Sequence, residues 1–335
     1  VGGLWSARVE RAGRELSYSA EIEDSNEGFD AGSGFMRRVG DTQVQSSIRY
    51  NRYGDRGSLV ERWGPSLELR GYWDHDAFWG GDRAQETSAQ LGGSVSFRGN
   101  VSFFLNAKLT SFHFTSTDYE GFMAPDGSGV LHDFYPDQHL FQGLRGINGM
   151  IWANTFERIR GNARFSWDEV PVFGGSNAAV EPADSWSGNL SLNLYPTRSL
   201  QAEVGVRHTT ITRKQDGSEY SSATIPRVKA QYQFTRALFV RGIFEYSAES
   251  RGALLSPVTG RVVAYCDSEG TCEERTGSDS NDFHVEGLVS YEPSPGTVFY
   301  VGYVRQMEDM DAFRFRQIQP LADGLFVKVS YRFRF

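Results

Sequence analysis

Two clusters of histidine and carboxylate are the residues of this chain best suited to chemistry: Asp74-His75-Asp76, and the stretch from His132-Asp133 through Asp137 to His139. An imidazole beside a carboxylate can do general acid–base work, and outer-membrane hydrolases keep such groups at a barrel rim. The donors of His132 to His139 would also suit Ca²⁺ or a transition metal. The plainer alternative is a set of hydrated loop residues, since histidine is present at an ordinary level, six in 335 residues. No Gly-rich phosphate loop, nucleophile elbow or zinc-protease helix accompanies either cluster. The sequence therefore nominates no catalytic residue and no metal-ligand set. A non-enzyme is expected, with a rim hydrolase and a loop-bound Ca²⁺ as the lesser alternatives.

The only two cysteines, Cys266 and Cys272, stand in the run Cys-Asp-Ser-Glu-Gly-Thr-Cys. In an oxidising compartment a pair this close is expected to form a disulfide that closes a small turn. A metal site is the weaker alternative, because no histidine lies at ligand spacing.

The elements that must position these loops are strands. From Leu325 to Phe335, Leu325, Val327, Val329, Tyr331, Phe333 and Phe335 alternate with Phe326, Lys328, Ser330, Arg332 and Arg334. Side chains on a strand point alternately to its two faces, so one face of this strand is apolar and the other largely cationic or polar. An apolar face ending on a terminal Phe is how the last strand of an outer-membrane barrel reads, with Tyr331, Phe333 and Phe335 as the expected signal for the barrel-assembly machinery. The same dyad recurs elsewhere. Val101, Phe103, Leu105, Ala107 and Leu109 oppose Asn106, Lys108 and Thr110; Val228, Ala230 and Tyr232 oppose Arg227, Lys229 and Gln231; Val240 and Phe244 oppose Arg241 and Glu245.

A soluble β-sandwich predicts this alternation too, so strand length and charge placement decide. Many segments run ten to fifteen residues, close to the ~9–11 that a tilted strand needs to cross a bilayer and longer than the usual ~5–6. Charges of both signs sit in mid-strand, as a water-filled or salt-bridged lumen accepts, and the apolar face carries almost none. The expected lumen-facing set is Arg49, Arg70, Lys108, Arg164, Arg207 and Arg227, continued by Lys229, Arg241, Glu245, Lys328, Arg332 and Arg334. Trp63, Trp73, Trp79, Trp152, Trp167, Trp186, Tyr291 and Tyr303 are candidates for interfacial aromatic girdles. Hydrophobic residues make up 39% and aromatics 14%, and no apolar run is long enough for a transmembrane helix. The net charge of −8 and the lack of a basic run with interleaved aromatics argue against nucleic acid as a partner. Acid is expected to concentrate in loops, at Asp118, Glu120, Asp126, Asp133, Asp137, Glu181 and Asp184, and at Asp267, Glu269, Glu273, Glu274, Asp279 and Asp282.

Counting back from the C-terminus, long and short connections alternate as in a barrel with outer loops and periplasmic turns. The long ones are Asp309 to Asp323, Arg251 to Asn281, Lys214 to Tyr220, Phe173 to Asp184, Thr115 to Ile147, Asp74 to Arg83 and Asp24 to Asp41. The short ones are Glu292 to Gly296, Thr235-Arg236, Pro196 to Ser199, Glu157 to Ile159, Gly99-Asn100, Gly54 to Gly57 and Ala12-Gly13. The alternation requires a turn near Glu157 to Ile159 that splits Asn148 to Asp168 into two strands. About fifteen strands result, and the first, Leu4 to Glu10, descends from the outer side without an upstream neighbour. Upstream sequence or a partner chain is expected to complete the wall, and the absence of an initiator Met and signal peptide points the same way.

Four stretches resemble a known group: Gly34-Phe35-Met36-Arg37-Arg38; Ser294-Pro295-Gly296-Thr297-Val298-Phe299 leading to Gly302-Tyr303; Asp311-Ala312-Phe313-Arg314-Phe315-Arg316; and Leu325 through Phe335. They are similar to uncharacterised outer-membrane proteins in which a barrel of unknown function follows a carbohydrate-binding-like module of family 9 type. The resemblance implies a barrel fold and more strands upstream. It carries no sugar-binding or catalytic residue to this chain.

The sequence thus predicts a single-domain, all-β, transmembrane antiparallel up-and-down β-barrel, with about 14–16 strands in residues 1–335, as part or all of the barrel. The expected setting is a Gram-negative outer membrane, with lipid bilayer and lipopolysaccharide as surroundings, a periplasmic C-terminus and extracellular long loops. The expected function is a channel or uptake component for polar solutes, or else an anchor for a surface assembly whose lumen the Thr115 to Ile147 loop blocks. No cofactor is expected beyond the loop Ca²⁺ alternative.

Overall fold

The computed structural model describes residues 2–30, 38–173 and 179–332. The first third of the chain holds β1 (Leu4–Ala12), β2 (Leu16–Ser25), β3 (Asp41–Tyr50), β4 (Arg52–Tyr53), β5 (Val60–Asp74), α1 (His75–Gly80), β6 (Glu86–Phe97) and β7 (Val101–His113). The middle holds β8 (Phe122–Pro125), β9 (Leu131–Asp133), β10 (Leu140–Ala153), β11 (Ile159–Phe173), β12 (Ala179–Leu194), β13 (Leu200–Arg213) and β14 (Glu219–Gln233). The rest holds β15 (Leu238–Arg251), β16 (Ala264–Cys266), β17 (Cys272–Glu274), β18 (Ser278–Ser294), β19 (Thr297–Asp309) and β20 (Ile318–Ser330).

One antiparallel sheet dominates. It has sixteen strands, of which fifteen follow one another in the order β1-β2-β3-β5-β6-β7-β10-β11-β12-β13-β14-β15-β18-β19-β20, while β4 pairs alongside β5. This is the all-β, up-and-down, antiparallel architecture of the barrel class, with every neighbouring pair joined by a simple connection. Long and short connections alternate as the sequence predicts, and the split between β10 and β11 falls where expected, with β10 ending at Ala153 and β11 starting at Ile159. Among the described residues β1 pairs only with β2 and β20 only with β19, so the sheet is not closed. Both end strands run from the long-loop end to the short-turn end, so they could meet each other only in parallel.

Register fixes which side chains share a face. Across β6, β7, β10 and β11, Leu91 faces Ala107, Leu105 faces Gly149, and Gly149 faces Phe165. On the other face Lys108 and Gly146 precede Asp168, and Lys108 Nζ lies 2.8 Å from Asp168 Oδ1. Sliding any one strand by a residue would exchange the faces, putting its charges among Leu, Val and Phe.

The girdle and loop expectations need three corrections. Trp152 lies opposite Ser102 and Asn162, which puts it on the polar face, where its ring meets Phe104 edge-on at 6.0 Å. Trp79 belongs to α1 and packs at 6.3 Å from Trp5. Glu181 and Asp184 lie within β12, Asp133 in β9, Glu273 and Glu274 in β17, and Asp279 and Asp282 in β18, so these acids are strand residues. Strands outlast the bilayer-length pattern because their ends continue pairing beyond it.

The β6–β7 connection turns on Gly99 and Asn100, with φ of 97° and 61°. Positive φ at both central residues gives a turn whose twist matches the flanking strands, and Asn tolerates it where β-branched residues do not. Asn100→Gly should be close to neutral, and Asn100→Val should lower unfolding stability by about 1–2 kcal/mol, measured as a shifted urea midpoint.

Candidate solute path and its outer cap

The ten strand residues expected to line a lumen all share the polar face. Arg49 lies opposite Ser17 and Ser66, Arg70 opposite Gln45, and Arg164 opposite Asn189. Arg207 faces Asn189, and Lys229 faces Glu203. Arg227 faces Glu245, Arg241 faces Gln231, and Lys328 faces Tyr300. Arg332 follows β20, while Phe333, Arg334 and Phe335 lie outside the described residues, as does 34–37 of the first resemblance motif. A groove of about 360 Å³ runs along this face between β2 and β7, walled by Arg49, Arg62, Glu68, Gln90 and Asn106. Ion pairs fill much of the rest: Arg70–Glu68 along β5 at 2.6 Å, and the cross-strand pairs Arg227–Glu245 at 3.5 Å and Lys229–Glu203 at 3.7 Å.

Towards the long-loop end the polar face changes character. Phe112, Leu144, Val170, Val172 and Ile211 occupy its register positions there, and two loops fold onto them. The first loop supplies Phe114, Tyr119, Phe122 and Phe134; the second supplies Leu254 and Val263; all are buried in one cluster with Phe141 and Val180. Their short strands form a second sheet in the order β17-β16-β8-β9. Gly121, at φ 84°, lets Cys266 N–H donate to its carbonyl at 2.7 Å; a Cβ there would lie 2.7 Å from the Cys266 carbonyl oxygen. Cys266 and Cys272 are joined in a disulfide across the β16–β17 hairpin.

Polar contacts tie this cap to the wall. Tyr119 donates its hydroxyl hydrogen to the Ala179 carbonyl at 2.6 Å, and burial pushes its phenol well above the ordinary range. Arg213 is buried. Its Nε donates to Glu181 Oε1 at 2.9 Å, a terminal nitrogen donates to the Ala253 carbonyl at 2.6 Å, and its guanidinium stacks 5.0 Å from the Tyr220 ring centroid. A buried charge is tolerable only when paired and hydrogen-bonded in this way.

A third loop takes the opposite route. The stretch between β19 and β20 lies on the apolar face, where Phe313 and Phe315 pack 4.9 and 5.3 Å from Tyr246, itself 4.5 Å from Phe283. Phe313 N–H donates to the Tyr246 hydroxyl and Phe315 N–H to Asp309 Oδ2. Both phenylalanines hold positive φ, 59° and 52°. Such strain persists only where surrounding contacts impose it. The sequence places this stretch in the long Asp309 to Asp323 connection; nothing in its composition gave the hook or the face.

The two histidine clusters do not meet. His75 Nδ1 lies 2.8 Å from Asp24 Oδ1, and Asp24 also accepts from Thr42 and Trp5. Asp74 stands at the N-cap position of α1 without a side-chain capping bond and accepts instead from Gln85. On the cap surface His132 lies 3.1 Å from Asp126, whose carboxyl is held well below the usual range chiefly by the Ser128 hydroxyl and by His132. His139 stacks on Tyr135 instead. Among the described residues no group of three His, Cys, Asp or Glu side chains is placed to hold a metal.

No protein-family model and no curated protein matches the chain. Among solved structures, OmpT, an outer-membrane protein of Vibrio cholerae, is 9% identical over 85% of this chain and 88% of that one, with a TM-score of 0.37. An anion-selective porin from Comamonas acidovorans is 9% identical over 98% of this chain and 95% of that one, with a TM-score of 0.32. At such scores the likeness decides nothing, and the functional reading rests on the chain's own residues.

Phe122→Ala should leave a cavity costing about 3–5 kcal/mol. The expected result is faster proteolysis within 115–139 and 254–275, with the wall strands still resistant.

Proposed function

We propose that this chain forms most of the wall of an outer-membrane β-barrel that passes polar solutes. The observation that carries the reading is the bare apolar face. Leu91, Leu109, Val228 and Val327 stand 62%, 53%, 41% and 66% exposed on it, with no second layer over them among the described residues. In water a soluble sandwich would have to cover such a face; in a bilayer, lipid covers it. Wall strands of up to 17 residues are long enough to cross. The short turns then lie in the periplasm and the long loops outside. Lipid, lipopolysaccharide and the barrel-assembly machinery become the natural partners.

In hydrocarbon an unpaired strand edge costs several kcal/mol per bare backbone group. The reading therefore includes further strands between β1 and β20, from the same polypeptide or from a partner chain. Because both edges run the same way, an antiparallel bridge needs an odd number of them.

One observation supports the alternative of a plugged anchor: the cap lies on the same face as the solute groove. Conductance across a planar bilayer separates the two. Discrete steps from the purified full-length protein support the pore. Insertion without conductance, gained when the cap is opened by reduction and cleavage, supports the anchor. The membrane placement has its own check: Val228→Lys should cost about 2–4 kcal/mol in folding into lipid vesicles, whereas Lys229→Val should fold nearly as well as the parent.

A further inference from the structure

The chain as a whole is acidic, yet the pairing pattern on the polar face leaves cations over. Counted over roughly the ten residues of each strand nearest the short turns, about one bilayer crossing, the carboxylates of that face are mostly held. Glu10 and Glu21 take Arg8, Glu68 takes Arg70, and Asp168 takes Lys108, while Glu203 and Glu245 take Lys229 and Arg227. Glu23, Asp41, Glu286 and Glu292 have no Arg or Lys partner, and Glu286 meets only His284. Against these four, Arg49, Arg62, Arg164, Arg207, Arg241 and Lys328 form no ion pair with any described residue, and all but Arg241 are exposed; Arg160, over the Tyr195 ring, adds a seventh.

An unpaired charge beside water keeps its full field, while a paired one is largely cancelled within a few ångströms. In a lumen with low-dielectric walls the surplus is focused along the axis and sets which counter-ion concentrates there. Much of the remaining acid lies away from this stretch, on the cap at Asp126, Asp133, Asp267 and Glu269 and at the long-loop ends of strands such as Glu249 and Asp282, with Glu15, Asp55 and Glu157 at the short turns. The net charge of −8 is therefore a poor guide to the path.

We infer that the path selects small anionic solutes, carboxylates or inorganic anions, through the unpaired set Arg49, Arg62, Arg164, Arg207, Arg241 and Lys328. This deepens the pore reading and rests on it. The test is the zero-current potential of the purified full-length protein in a planar bilayer under a potassium chloride gradient. The expected sign gives a chloride-to-potassium permeability ratio above unity. In Arg207→Gln/Arg241→Gln the ratio should fall towards or below unity with conducting steps retained. A cation-preferring parent, or an unchanged ratio in the double variant, overturns the inference while the pore stands. A parent that inserts without conductance overturns both. Folding of the variant is checked by its heat-dependent gel mobility, and Lys328→Gln supplies a second, independently placed probe should the double variant fail to insert.

Discussion

Each wall strand has to be paired on both backbone edges and to present one face to each of two unlike surroundings, and register is where these demands meet. With a side-chain period of two, a one-residue slip preserves every backbone bond yet exchanges every side chain. The cross-strand pairs make that exchange costly. Lys108 and Asp168 are joined across β10, and Lys229 finds Glu203 directly opposite. On the other face Trp167 lies opposite Trp186 and Val289 opposite Val301. Register is fixed from both sides at once, and the solute-lining pattern is a consequence of it.

The same constraint explains why the substantial buried core among the described residues lies outside the wall pattern. A single-layer sheet has no interior, so its residues stay half-exposed on one face or the other. Buried clusters form where loops fold back, on the polar face under the cap and on the apolar face under Phe313 and Phe315. Val170, Val172 and Ile211 show the transition: they occupy positions that lower down hold Arg164, Asp168 and Arg207, and they are apolar because the cap excludes water from them.

That transition marks how far the sequence could be read. The strands, their order and both faces follow from a dyad pattern, and the turn residues punctuate it, as at Gly99-Asn100. The disulfide followed from two cysteines six positions apart. Of the cap, only an inward fold of the Thr115 to Ile147 loop was expected, in the anchor alternative; its packing was not, since Tyr119, Phe122, Leu254 and Val263 show no period and meet across more than a hundred residues. Arg213 and Glu181 read as ordinary loop-end charges because nothing local shows that both are buried. The partners of the mid-wall charges were hidden for a related reason. Glu203 and Lys229 are 26 residues apart in sequence and opposite only after two strands are set in register.

A five-residue turn carries the largest topological consequence. If Leu140 to Phe173 were one element, the wall would have one strand fewer in the count and its end strands would run in opposite directions, free to pair antiparallel. Residues 154–158 reverse the chain instead. The turn is tied to the neighbouring hairpin, with Asn154 N–H donating to the Asn100 carbonyl at 3.1 Å and Thr155 Oγ1 donating to the Gly99 carbonyl at 2.5 Å. With that reversal β1 and β20 descend together, and their free edges are geometrically unsuited to each other in an antiparallel wall. The strand parity set at this turn, rather than any feature of β1 or β20 themselves, decides what kind of element can complete the sheet.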